Sequence, residues 1–198
     1  VGSPVGIGHS AMQTPSPTLA PTLAEIVSRA LRPALAGLFF AVLTLLFNIG
    51  LGIVFGVDEG IIKSRLNADA QAVRDSAYKG NEAALKAVVD KSWVYMQRAH
   101  LHAGGLGGTA LGLILVVVLL GPAPIWPRSI SLGLGVGGLS YSVYWLLAGF
   151  RAPGMGGTTA AKESLGWLAI PSSGAVLIAT IAVAWLLVAA LFSRPTRA

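Results

Sequence analysis

Four long stretches without a formally charged residue constrain this chain more than any other feature. They cover residues 34–57, 103–121, 129–149 and 173–193. An α-helix of about 20 apolar residues crosses the ~30 Å hydrocarbon layer of a bilayer, and each stretch has roughly that length. Because backbone polar groups must be paired inside lipid, each stretch is expected to be helical. The sequence therefore predicts an all-α integral membrane protein with four transmembrane helices.

The charged residues are concentrated in one connection between these spans. Only 11% of the 198 residues are charged, and thirteen of these 22 side chains lie between Asp58 and Arg98. A nucleic-acid-binding domain would instead carry a basic stripe on one folded face. The chain also has no cysteine, which excludes disulfides, thiolate metal sites and iron–sulfur clusters. We therefore expect this chain to contact the lipid bilayer and not to bind nucleic acid.

The connection at residues 58–102 has the pattern of a helical hairpin. Its apolar residues recur at spacings of three and four, Gly80 is a helix stop signal, and Asn81 is a suitable N-cap for a second helix. No stop signal follows before the second span. Residues 82–121 are therefore expected to form one helix that begins in water and ends in lipid.

The N-terminal part of the chain precedes the first span. Residues 1–21 are rich in Gly, Pro, Ser and Thr and predict a flexible tail. Thr22 and Glu25 match a capping box at the start of an amphipathic helix at residues 22–33. This helix either lies at the membrane interface or simply extends the first span towards the N-terminus.

Basic residues in the short segments predict the orientation. The N-terminal segment, the connection at residues 122–128 and the tail at residues 194–198 share one side and carry five arginines against one acid. Such segments stay in the cytoplasm. The termini are therefore expected there, with the 58–102 hairpin and a loop at residues 150–172 outside. The bias towards Ala, Gly, Leu and Arg indicates a bacterial inner (cytoplasmic) membrane.

One group of residues has the chemistry of a ligand site. His100 and His102 lie where the hairpin meets the second span. On a helix, residues two apart point about 200° away from each other, so these imidazoles could share an ion only in extended backbone. In a helix, His100 shares a stripe with Met96. The residues that continue this stripe into the span are Gly104, Gly108 and Gly112.

Two interpretations of this stripe stay open. A histidine above a glycine groove can hold haem, with His100, Gly104 and Gly108 binding the cofactor. Copper could be bound by His100, His102 and Met96. Alternatively, the glycines allow another helix to approach closely. Helix packing is favoured, because small residues recur at the same spacing in the other spans, at Gly52, Gly56, Gly60, Gly133, Gly137, Ala175 and Ala179.

Missing features limit the function that the sequence predicts. No charged residue or histidine lies deep in a span, whereas ion-coupled carriers and pumps usually keep one there. No Walker loop, nucleophile elbow or pair of catalytic carboxylates is present. We therefore expect a non-catalytic structural or accessory subunit of a larger bacterial membrane complex, with other membrane subunits or further copies of the chain as partners. The alternative is a haem- or copper-binding protein for electron transfer or metal handling.

Overall fold

The computed structural model describes residues 22–193, and the regular elements of this part of the chain are all helices. Its elements in order are α1 (Leu23–Leu31), a 3₁₀ turn (Arg32–Ala34), α2 (Leu35–Gln71), α3 (Arg74–Tyr78), α4 (Glu82–Leu120), α5 (Ile125–Gly154), α6 (Thr158–Glu163) and α7 (Gly166–Phe192). Four helices, with α1 and α2 taken together as one, are long and apolar enough to cross a membrane. The predicted all-α class and the four apolar helices are thus confirmed. The predicted tails at residues 1–21 and 194–198 lie outside the described residues.

The start of α1 is closed by the capping box that the sequence predicted. The Thr22 hydroxyl accepts from the Glu25 amide at 3.3 Å, and the Thr22 amide donates to the Glu25 carboxylate at 2.9 Å. Helical geometry then continues through Pro33, which occupies the first turn of the 3₁₀ segment, where its missing N–H is not needed. Helix α1 is therefore continuous with α2 through the 3₁₀ turn, and its position at a membrane interface stays a prediction.

Helix α5 is the centre of the bundle. It packs against α2, α4 and α7, while α2 and α4 also pack against each other. The buried apolar residues that these helices share are Ala34, Ala41, Ala110, Ile114, Val117, Ile130, Leu134, Ala179 and Val183. Since many of these side chains are small, the helix axes can lie close together.

Glycines set the closest approaches between the helices. A Cβ atom at Gly135 in α5 would overlap the backbone carbonyl of Gly37 in α2. In α4, a Cβ at Gly107 would lie 3.0 Å from the Leu45 side chain of α2. The absence of a Cβ is therefore what allows α2 to reach both of its neighbours.

The small residues of α5 and α7 pack against each other. A Cβ at Gly133 would lie 3.1 Å from the Ala179 Cβ, and one at Gly137 would lie 3.3 Å from the Ala175 Cβ. The contact between α5 and α7 is thus of the kind that their four-residue spacing predicted.

Beyond the bundle, the end of α2, α3 and the first part of α4 form a helical hairpin. Its buried residues are Ile62, Leu66, Ala70, Tyr78, Leu85, Val89 and Met96. Where the hairpin begins, Asp58 leaves helical geometry (φ −158°, ψ 88°), and its carboxylate accepts from the Gly60 amide at 2.8 Å. The kink at Asp58 therefore separates the apolar part of α2 from its charged part.

The first helix of the hairpin ends before the stop signal at Gly80, and a short separate helix lies between them. Helix α2 ends at Gln71, and Val73 leaves helical geometry before the short helix α3. The reversal itself comes at Lys79 and Gly80, both with positive φ (53° and 71°), where only glycine avoids a steric cost. The Asn81 side chain then accepts from the Ala84 amide at 3.0 Å, which caps α4 as predicted.

The predicted loop at residues 150–172 is largely helical, which corrects the expectation from the sequence. It consists of the end of α5, helix α6 and the first turns of α7. Ala161 and Leu165 are fully buried there, and Leu165 packs against residues of α4 and α5. This tertiary burial orders a segment whose glycines and prolines indicated a loop.

Candidate functional site

Aromatic and basic side chains gather where α4 and α5 lie side by side near the hairpin. This group, the rim cluster, consists of Tyr95, Arg98 and His102 of α4 and Tyr141, Tyr144 and Trp145 of α5. Trp145 is at its centre, with ring centroids 5.0 Å from Tyr95 and 5.1 Å from Tyr144. The Arg98 guanidinium carbon lies 5.0 Å from the Trp145 ring, within the range of a cation–π contact.

The two candidate histidines face different helices. The Nδ1 atom of His100 donates to the Asn48 carbonyl oxygen of α2 at 3.0 Å. The ring of His102 instead lies 5.2 Å from that of Tyr141 in α5. This separation agrees with the roughly 200° between positions two apart on a helix. Because the segment is helical, the extended arrangement in which both imidazoles could bind one ion is not formed.

The glycine stripe below His100 is partly filled by α2. A Cβ at Gly104 would lie 3.0 Å from the Asn48 side-chain oxygen, so this amide occupies the upper part of the predicted groove. Gly108 and Gly112 have no atom of a neighbouring element within 4 Å of a Cβ position. The stripe is therefore a contact with α2 at its upper end and an open surface further along.

Asn48 contributes to the packing of α2 against α4 through both its backbone and its side chain. Asn48 is a strongly polar residue within the first uncharged stretch of the sequence. In the structure, the interhelical hydrogen bond at this position is made by the backbone carbonyl oxygen, which accepts from His100. The amide side chain of Asn48 lies against Gly104, which has no side chain of its own to occupy this space.

The other candidate metal ligands do not gather around His100. Met96 is fully buried in the hairpin core, and its Cγ lies 2.9 Å from a Cβ position at Gly149 of α5. Met155, the other methionine within residues 22–193, lies exposed just after α5, and its sulfur accepts from the Ser164 hydroxyl at 3.9 Å. Ligation of haem or copper by these residues stays a prediction, and the contacts of His100 and Met96 do not favour it.

An open crevice separates α4 from α7 beside the rim cluster. Both helices pack on α5, and the space between them, the α4–α7 crevice, has a volume of about 330 Å³. Its lining residues are His102, Leu106, Tyr141, Ser173, Val176, Leu177 and Thr180. The Ser173 and Thr180 hydroxyls donate to carbonyl oxygens of their own helix at 2.7 and 2.8 Å. The inner walls of the crevice are thus apolar, and its imidazole and phenol belong to the rim cluster.

The rim cluster is the part of this site that the sequence did not predict. Tyr141, Tyr144 and Trp145 have the three- and four-residue spacing of one helix face, which was a usable signal. Their partners on α4 depend on how the two helices are rotated against each other. The cluster also contains the indole nitrogen of Trp145, which is buried and has no acceptor within residues 22–193.

No protein-family model matches the chain, and comparisons with curated proteins and with solved structures found no significant match.

Proposed function

We propose that this chain is a non-catalytic accessory subunit of a larger membrane complex, and that α4 binds a helix of another subunit. The observation that carries this proposal is the outer glycine row, which consists of Gly105, Gly108 and Gly112. These glycines share one face of α4, and a Cβ at any of them would meet nothing within 4 Å. Because these positions carry no side chain, a second helix could lie directly on the backbone of α4.

Glycine at these positions has a cost that lipid alone does not offset. A glycine inside a helix is about 1 kcal/mol less favourable than alanine. Inside the bundle, Gly107 and Gly135 offset this cost through close helix contacts. The outer glycine row would do so only if a further helix approaches, since lipid chains pack equally well against larger apolar side chains.

Exposed leucines extend the same face in both directions. Leu101 precedes the row, and Leu115 and Leu119 follow it, with 68%, 48% and 84% of their surfaces exposed. A partner helix would therefore meet glycine in the middle and leucine at the ends. Such an arrangement permits close contact at the crossing point and side-chain packing on either side of it.

The hairpin is proposed to be the extracytoplasmic part of the same subunit. Its surface carries ion pairs of both signs, among them Lys63–Glu59 at 2.7 Å and Arg65–Asp69 at 3.0 Å. Exposed ion pairs of this kind are compatible with water and incompatible with hydrocarbon. With the hairpin outside, the arginine-rich termini lie in the cytoplasm of a bacterial inner membrane.

The experiment compares two leucine substitutions in glycines that have the same free space around them. Gly112→Leu blocks the outer glycine row, while Gly50→Leu, on the exposed face of α2, is the control. Each variant is purified from native membranes in mild detergent, and copurifying subunits are quantified by mass spectrometry. We expect Gly112→Leu to reduce the partner by roughly tenfold or more, the ratio for a loss of about 1.4 kcal/mol of binding free energy, and Gly50→Leu to retain it.

Two outcomes would overturn the proposal. One is a wild-type protein that migrates as a monomer on native gels, or as an assembly of its own copies only. The other is an unchanged set of copurifying subunits in Gly112→Leu. Thermal unfolding of both variants shows whether the bundle itself is intact, which separates loss of a partner from loss of the fold.

A further inference from the structure

We propose that Arg98 and the α4–α7 crevice together bind one anionic phospholipid, with its phosphate at Arg98 and one acyl chain in the crevice. Arg98 and His102 lie one helical turn apart on α4, and His102 lines the mouth of the crevice. A cation and an apolar channel thus follow each other along the same helix face. This order matches the order of headgroup and acyl chain in a phospholipid.

Arg98 is a cation without a carboxylate partner in the described part of the chain. The ion pairs within residues 22–193 use Lys63, Arg65, Arg74 and Lys86. The guanidinium of Arg98 lies instead over the Trp145 and Tyr95 rings, at 5.0 and 5.5 Å from their centroids. These rings hold its position but accept none of its five N–H donors in the plane of the group. A phosphate accepts two of those donors at once.

The position of Arg98 along α4 corresponds to the depth of a lipid phosphate. It precedes the uncharged stretch at residues 103–121 by five positions. At about 1.5 Å per residue, the guanidinium-bearing turn then lies within roughly 8 Å of the hydrocarbon boundary. The surrounding tyrosines and Trp145 are the residues that membrane proteins place at this level. The cation is therefore available to a headgroup, whereas its apolar neighbours are available to an acyl chain.

The crevice has the surface that an acyl chain requires. Its walls below His102 are formed by Leu106 of α4 and by Val176 and Leu177 of α7. The hydroxyls of Ser173 and Thr180 donate to their own helix, so they need no polar ligand. A neutral lipid could fill this space equally well, but it would leave the Arg98 donors without an anion. Charge complementarity at Arg98 thus distinguishes an anionic lipid from any other.

The test measures lipid bound to the delipidated full-length protein by native mass spectrometry. The probes are phosphatidylglycerol and phosphatidylcholine with identical acyl chains, and inorganic phosphate alone. We expect one phosphatidylglycerol per chain, bound at least about tenfold more tightly than phosphatidylcholine, which corresponds to a difference of one unit in the logarithm of Kd. Inorganic phosphate is expected not to compete, because it lacks the chain that occupies the crevice.

Three variants test the headgroup contact at Arg98 and the acyl-chain contact in the crevice separately. Arg98→Gln should abolish the preference for phosphatidylglycerol, and Lys91→Gln, in an exposed lysine of the same helix, should keep it. Leu177→Trp should weaken binding of both lipids, because the larger side chain fills the crevice. Leu177 is 62% exposed, so the indole can be accommodated without disturbing the core.

The proposal is overturned if the wild-type protein binds both lipids equally, or if Arg98→Gln retains the preference. Either result would mean annular lipid only. Unchanged lipid binding in Leu177→Trp would show that the acyl chain does not occupy the crevice. Gly112 lies fourteen residues from Arg98, about 21 Å along α4, and does not line the crevice, so Gly112→Leu should leave lipid binding unchanged whether or not a partner subunit is lost.

Discussion

The bundle and the hairpin hold their helices together in different ways. In the bundle, α2 and α5 meet through the backbones of Gly37 and Gly135, where no side chain lies between them. In the hairpin, α2 and α4 meet through whole side chains, such as the fully buried Leu66 and Met96. The contact in the bundle therefore requires glycines without a Cβ, whereas the contact in the hairpin requires large apolar side chains.

The two kinds of contact respond differently to amino-acid substitution. A backbone contact leaves no alternative position for an added methyl group, so the whole helix must move. A side-chain contact can relax by rotamer changes and loses stability in proportion to the atoms removed. The outer glycine row of α4 is a third case, since a Cβ at any of its glycines would meet no neighbouring atom within 4 Å in residues 22–193.

The largest effect is expected for Gly135→Ala. The new Cβ would overlap the Gly37 carbonyl, which belongs to the backbone and cannot rotate away. We expect a loss of at least about 3 kcal/mol in the free energy of unfolding, the upper end of overpacking costs. Denaturation of the detergent-solubilised protein, followed by circular dichroism, measures this loss. Wild-type stability in the variant would mean that α2 and α5 do not approach as closely as described.

An intermediate effect is expected for Tyr78→Phe, which tests how the hairpin is attached to the bundle. The Tyr78 hydroxyl donates to the Pro153 carbonyl oxygen at the end of α5, at 2.7 Å. Its removal takes away one buried hydrogen bond, at a cost of about 1 kcal/mol, and leaves the Pro153 oxygen with the Gly156 amide as donor at 3.3 Å. Hydrogen exchange of the hairpin amides should show faster opening in the variant, while the amides of α5 stay protected.

The Tyr78 contact also has a defined pH dependence. Burial raises the pKa of Tyr78 above its ordinary value of 10.0. The protonated hydroxyl is the form that donates, so its contribution is complete below pH 10.0 and is lost as the pH rises through the raised pKa. The stability difference between wild type and Tyr78→Phe should therefore shrink above that pH. A difference that stays constant up to strongly alkaline pH would contradict the assigned hydrogen bond.

The smallest effect on the isolated chain is expected for Gly112→Ala. A methyl group at this position meets nothing within 4 Å. Helix propensity alone then predicts a gain of up to about 1 kcal/mol. The same denaturation measurement as for Gly135→Ala makes the comparison direct. A clear loss of stability would show that the outer face of α4 already contacts part of the chain.

Much of the architecture could be predicted because its signals are local. The four long apolar helices follow from uninterrupted apolar residues. The starts of α1 and α4 follow from Thr22 and Asn81, whose side chains satisfy amides within their own first turns. The opposite directions of His100 and His102 follow from helix geometry alone. In each case the determining atoms lie within a few residues of one another.

The site could be predicted only in part, because its contacts join distant residues. The glycine spacing indicated close packing but did not show which glycines would be used. In the stripe below His100, Gly104 meets Asn48 whereas Gly108 meets nothing, and the neighbouring Gly107 contacts α2 instead. The rotation of α4 against α2 decides between these outcomes, and it depends on packing along both helices.

By itself, the sequence determined the helices, their order and the two faces of α4, since composition and periodicity act within one segment. Only the tertiary structure decided which glycine face is covered by α2, which is left open, and that Arg98 is held over Trp145 beside a crevice. The physical reason is that these features depend on the distance and rotation between helices. A difference of one residue in register moves a glycine from a backbone contact to an open surface.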